Sequence, residues 1–113
     1  MVTHAAARQS RVVFGAIADP TRREILDLLK GGALSAGELA RRFPVSRPAV
    51  SRHLRVLRGA NLVHETREAQ RRLYSLNPAP LAQIDRWISS YRVFWGARLH
   101  DLKRYVEGKE RGR

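Results

Sequence analysis

Ser46-Arg-Pro-Ala-Val-Ser-Arg-His-Leu-Arg-Val-Leu-Arg58 holds four arginines, one histidine and no acid, and it also has the period of an amphipathic helix. Val50, Leu54 and Leu57 recur at i, i+4 and i+7 and form one apolar stripe. Arg47, Pro48, Ser51, Arg52 and Arg55 point broadly the other way. Such a helix docks one face on a core and offers cations and short polar groups on the other. A helix laid in a DNA major groove requires that division. Ser46 reads as its N-cap, and Pro48 lies in the first turn, where a missing N–H costs nothing.

Upstream, Ser35-Ala-Gly-Glu38 is a capping-box pattern. It opens a short helix to about Arg42, with Leu39, Ala40 and Phe43 inward. Pro44 ends that helix, because the residue before a proline is pushed out of the helical region. A tight Pro44-Val45 turn then leads to Ser46. Two short helices so joined, the second cationic outside, make a helix-turn-helix. Earlier still, Asp19-Pro20 is a helix start, with Asp as cap and Pro in the first position. The helix from Pro20 to Lys30 buries Ile25, Leu26, Leu28 and Leu29, and Gly31-Gly32 supplies the positive φ of its end. Arg8 to Ala18, with Val12, Val13, Phe14 and Ile17, is a first helix. Residues 1–7 read as a loose arm.

Downstream of Gly59-Ala-Asn61 the period falls to two. Leu62–Arg67 and Arg71–Leu76 read as strands joined by Glu68-Ala-Gln70. A hairpin directly behind such a helix is a wing, and its tip carries Arg67, Arg71 and Arg72. Asn77-Pro78 then caps a long helix over 78–107. Along it Leu81, Ile84, Ile88, Tyr91, Trp95, Leu99, Leu102 and Val106 recur near a heptad spacing. Trp87 and Phe94 add a second apolar line. This is more apolar surface than one small domain hides, and a second copy of the chain is the simplest cover. Phe14 is expected to join that dimer interface. Residues 108–113 read as a flexible charged tail. The expected fold is mainly α with a small β-hairpin (α+β). It is a winged helix-turn-helix of order ααααββα in a single domain over 8–107.

The 113 residues carry a formal net charge of +12, and arginine far outnumbers lysine. A polyanion is the partner that this balance favours. Arginine's fork suits phosphates and guanine edges, which points to nucleic acid rather than a membrane surface. There is no cysteine, so disulfides, thiolate metal sites and cysteine redox sensing are excluded. No apolar run reaches membrane-span length and no signal-peptide core is present, so the expected address is the cytoplasm.

Ala18-Asp-Pro-Thr-Arg-Arg-Glu-Ile-Leu26, Glu38-Leu-Ala40, Ser46-Arg-Pro-Ala-Val-Ser-Arg-His-Leu54 with Leu57, and Arg71-Arg-Leu-Tyr-Ser-Leu76 follow one another in an order that resembles the ArsR/SmtB family of winged-helix repressors. The resemblance covers nearly the whole chain. It implies a homodimer that binds an imperfect inverted repeat in a promoter and represses transcription. It also marks departures from the family's metal sensors. The stretch that holds a cysteine site in some of them reads Glu38-Leu-Ala-Arg-Arg-Phe43 here, without a thiol. The candidate positions on the last helix read Asp85-Arg-Trp87 and His100-Asp-Leu-Lys103. There the second histidine and the closing acid are missing, and Lys103 repels a cation. The chain therefore resembles the metal-independent branch, with no metal or other cofactor expected.

On these grounds double-stranded DNA is the expected partner. Ser46, Arg47, Pro48, Ser51, Arg52, His53 and Arg55 are the expected contacts on the helix, and Arg67, Arg71 and Arg72 those on the wing. Arg47 and Ser51 are placed at base edges. Arg22, Arg41 and Arg42 are further candidates for phosphate. His53 borders the buried stripe and has a structural alternative. Ala69 stands where the family commonly has glycine, so a longer or looser wing turn is expected. Trp87, Tyr91, Phe94 and Trp95 line either packing or an effector pocket, and the sequence names no effector. Catalysis is not expected: Ser51 and His53 diverge on one helix, and no paired carboxylates or phosphate-cradling loop are present. The alternative function is that of a small nucleoid-associated protein indifferent to DNA sequence.

Overall fold

The computed structural model describes residues 4–111. In chain order these form α1 (His4–Ile17), α2 (Pro20–Leu29), β1 (Leu34–Ser35), α3 (Ala36–Ala40), α4 (Arg47–Gly59), β2 (Val63–Glu68), β3 (Arg71–Leu76) and α5 (Ala82–Arg111). A 3-10 turn at Ala79–Leu81 precedes α5. This is the expected mainly helical winged fold, with one strand more than the sequence pattern revealed. β1 pairs antiparallel with β3 through Leu34↔Tyr74 and Ser35↔Leu73, so the sheet order is β1-β3-β2. Two residues are too few to carry a period.

Caps set the helix boundaries. Asp19 accepts a hydrogen bond from the Arg22 amide at 3.0 Å and starts α2. Ser35 and Glu38 make both arms of a capping box, each 3.1 Å, and start α3. Ser46 Oγ accepts from the Ala49 amide at 3.2 Å and starts α4. At the other end of α4 the Leu62 amide donates to the Leu57 carbonyl (2.9 Å) and the Asn61 amide to that of Arg58 (3.0 Å). That is a Schellman closure, with Asn61 at φ 60 in the position glycine usually takes. Gly59 lies inside the helix instead.

Several boundaries differ from expectation. α1 begins at His4, because Ala5, Ala6 and Ala7 are strong helix formers; the part of the expected arm from His4 on is helical, and residues 1–3 lie outside the described set. α3 ends at Ala40, so the link to α4 runs over 41–46 and is longer than a Pro44-Val45 turn. α5 continues through Arg111, so the first four residues of the expected tail, from Gly108, are helical. Asn77 braces the 3-10 turn: its Oδ1 accepts from the Ala79 amide (3.4 Å) and its Nδ2 donates to the Asn61 carbonyl (2.7 Å).

Val13, Ala16, Ile25, Leu26, Leu29, Leu39, Val50, Leu54, Leu57, Ala60, Leu62, Val63 and Tyr74 form the buried core. It lies between α2, the inner stripe of α4 and the sheet, with the end of α1 over it. Every apolar residue of the Val50-Leu54-Leu57 stripe is buried. α4 is thereby clamped in one rotational setting, and that setting fixes where its arginines point. α5 projects from this body: the radius of gyration is 19.3 Å, against about 13 Å for a compact chain of this length. No described helix is long and apolar enough to cross a membrane.

Candidate nucleic-acid interface

The outer face of α4 presents Arg47, Pro48, Ser51, Arg52, Arg55 and Arg58, all exposed. Beside it stands the β2–β3 wing. Its register puts Val63 opposite Leu76, Glu65 opposite Tyr74, Arg67 opposite Arg72 and Glu68 opposite Arg71. The loop is thus the two residues Ala69-Gln70, tighter than expected, and Ala69 takes φ 56 to close it. Arg67, Arg71 and Arg72 are exposed at its tip, as the sequence pattern indicated.

Helix and wing enclose a trough in two parts. One, of about 420 Å³, is lined by Ser35, Gly37, Arg47, Ser51, Gln70, Arg71, Arg72 and Tyr74. The Arg47 guanidinium lies over Gly37, its Cζ 3.9 Å from where a Cβ would stand, an ordinary packing distance. The other part, of about 240 Å³, is lined by Ser51, Leu54, Arg55, Arg58, Glu65, Arg72 and Tyr74. Ser51, Arg72 and Tyr74 border both. Arginine forks and hydroxyls around an open hollow suit phosphate oxygens and base edges.

Two acids face this cationic surface. Glu38 Oε1 is 3.7 Å from Arg71 Nη1. Its carboxyl is held below the usual range, chiefly by hydrogen bonds from Ser35 and then by Arg71 and Arg41. Glu65 bonds Arg58 and lies 3.6 Å from Arg72 Nε. Burial, then the Glu65 carboxylate, push the Tyr74 phenol upwards. Glu65 had no place among the expected site residues. Its one sequence clue is an acid in step with buried Val63 on a period of two.

Two expectations change here. His53 is half-buried, with Nδ1 3.3 Å from Arg22 Nη1 and 3.9 Å from Asp19 Oδ2. It faces the α1–α2 corner rather than the outer face of α4, because it sits beside the buried stripe. Arg22 is occupied too: Nε donates to the Ala16 carbonyl (2.6 Å) and Nη2 to that of Gly15 (3.0 Å). Arg23 Nη1 donates to Ile17 (2.7 Å) and Ala18 (3.2 Å). These two side chains satisfy the orphan carbonyls ending α1. Arg41 and Arg42 remain exposed beyond α3.

The residues expected at a dimer interface divide. Leu81 packs on the core. Ile84 and Ile88 face Ile17, Leu26 and Leu76 across a cleft of about 470 Å³. Phe14 meets Trp87 edge-on at 5.6 Å, and Trp87 meets Tyr91 at 5.2 Å. Ser10 Oγ donates to Gln83 Oε1 at 2.6 Å, a further tie between α1 and α5. Beyond Ile88 the large apolar residues of α5 are exposed, among them Tyr91, Phe94, Trp95, Leu99, Leu102, Tyr105 and Val106. Among the described residues no three His, Cys, Asp or Glu side chains gather to hold a metal.

A helix-turn-helix domain family matches residues 17–66, from the end of α1 into β2. The chain is 46% identical over 79 residues to the transcriptional repressor SdpR of Bacillus subtilis, an alignment covering 70% of this chain and 88% of that one. It is 54% identical over 69 residues to the HTH-type transcriptional regulator Rv2034 of Mycobacterium tuberculosis, covering 61% of this chain and 64% of that one. Among solved structures it is similar to an ArsR-like transcriptional regulator from Rhodococcus sp. RHA1. There the TM-score is 0.68 at 33% identity, over 88% of this chain and 94% of that one.

Proposed function

The chain belongs to the ArsR/SmtB-type family of DNA-binding transcriptional repressors, and from that membership we propose that it acts as a homodimer on an inverted-repeat operator. The observation that carries this reading is the outer face of α4, arginine and serine apart from Pro48, held beside an arginine-tipped wing by a fully buried inner stripe. Arg47 and Ser51, in the first turns of α4, meet base edges in the major groove. Arg52 and Arg55 meet bases or phosphates, and Arg67 and Arg71 grip the backbone beside the wing. The bare half of α5 joins two copies, so that two recognition helices enter successive major grooves roughly 34 Å apart. Repression follows from occupying promoter DNA in place of polymerase.

The test is selection of bound fragments from the genome that encodes the chain. Affinity for the selected site is then compared with that for a scrambled duplex at one salt concentration. A preference of about a thousandfold or more is expected of a specific regulator. Equal affinities would sink the operator reading and leave a binder indifferent to sequence.

A further inference from the structure

Glu65 is an acid in the middle of a surface built for a polyanion. Its side chain is only 19% exposed, and its two oxygens are taken by Arg58 at the end of α4 and Arg72 on β3. The register sets it directly opposite buried Tyr74 and two residues along the same face from the Arg67↔Arg72 pair. Two guanidiniums directly across a ladder repel each other, and Glu65, 3.6 Å from Arg72 Nε, offsets that repulsion on the Arg72 side. It also ties the last turn of α4 to the wing.

We infer that Glu65 is an affinity-limiting residue of the DNA interface: an internal counter-anion that withholds Arg58 and Arg72 from DNA phosphates. This rests on the reading of this face as the DNA interface. A phosphate arriving at Arg72 or Arg58 must displace a carboxylate already seated there. Contacts made to every sequence alike are thus weakened, while Arg47 and Ser51 at the other end of α4 keep theirs. The affinity that remains is weighted towards base contacts.

The test uses the whole protein with Glu65→Gln, which keeps the shape and removes the charge. Glu68→Gln is its control, since Glu68 lies on the opposite face of β2, away from the Arg58–Arg72 pair. Both are titrated with a scrambled duplex and with the genome-selected site across a salt series. Glu65→Gln is expected to raise scrambled-duplex affinity about tenfold and steepen its salt slope by about 1 to 2, the value for one or two phosphates newly neutralised. Affinity for the selected site should rise by a similar factor, because the phosphates that the released guanidiniums meet are the same in both duplexes. Glu68→Gln should move these values by less than about a third as much. Adding Arg58→Ala to Glu65→Gln should reverse much of the gain. Equal effects of the two single variants would mean that net charge alone is responsible, and would overturn the assignment. So would weaker scrambled-duplex binding by Glu65→Gln, which would make the carboxylate a mere brace. The scrambled arm gives its answer even if the wild-type protein shows no site preference, so failure of the operator reading is seen separately.

Discussion

Arg47 and Arg67 are both exposed arginines, yet they sit in different company. Arg47 rises from the first turn of a clamped helix, whereas Arg67 stands at the tip of a narrow hairpin. Arg47→Ala and Ser51→Ala are therefore expected to relax preference at particular bases, each costing about 1–3 kcal/mol of operator binding. Arg67→Ala should weaken binding to all duplexes alike and reduce the salt slope by about 1. Competition against a panel of single-base operator variants separates the two classes. Asp19 and Glu38 carry a second prediction. Asp19 titrates below its ordinary value chiefly because the Arg22 amide donates to it, with help from His53 and Arg22 themselves. Glu38 is lowered by its Ser35 hydrogen bonds. A depressed carboxylate adds stability above its unfolded pKa and loses it as pH falls through the folded one. Melting temperature should thus fall below about pH 4. Asp19→Asn with Glu38→Gln preserves both caps and should flatten that acid limb. The caps themselves were legible, since each needs only one residue type at one offset. The engagement of Arg22 was not, because which carbonyls an arginine reaches depends on how α1 and α2 meet.

At the scale of elements, α4 was the most legible. Its stripe and cap are local, and every stripe residue is buried as the period required. Leu54→Ala should cost about 2–5 kcal/mol in urea denaturation, because Leu54 is 1% exposed and its neighbours cannot close the void. The wing turn shows the opposite case. A non-glycine at φ 56 carries about 1–2 kcal/mol of strain, while glycine adds about 0.5–1 kcal/mol of unfolded-state entropy. Ala69→Gly should therefore stabilise the protein by about 0.5–1 kcal/mol, measured by the same denaturation. The alanine suggested a looser loop; the ladder instead runs to Glu68↔Arg71 and forces the backbone to comply. β1 escaped notice for a related reason, being defined by its partner rather than by its own residues.

The whole molecule is governed by α5. Its 30 residues amount to about 45 Å of helix, more than the body beneath it can cover. The heptad-like spacing foretold a single seam. In the structure that seam changes character along its length: Leu81, Ile84 and Ile88 serve the chain's own body, while Trp95, Leu99 and Leu102 are left exposed. Period alone locates an apolar face but not its cover. Trp95→Glu with Leu99→Glu should halve the solution mass in light scattering and leave the melting of the body nearly unchanged. Operator affinity should fall by about 10²–10⁴, the avidity of a second half-site. A full-mass particle would show that two copies meet elsewhere.

Ser35 takes part in three structures at once. It ends β1, its hydroxyl caps α3, and its amide donates to the Glu38 carboxylate. The two-residue strand thus ties the wing directly to the start of the helix-turn-helix. In the proposed dimer, a change that lifted the protein from DNA would leave this block intact and alter how far apart, or how tilted, two such blocks are carried on their paired α5 helices. The control of transcription would then be a matter of wheelbase.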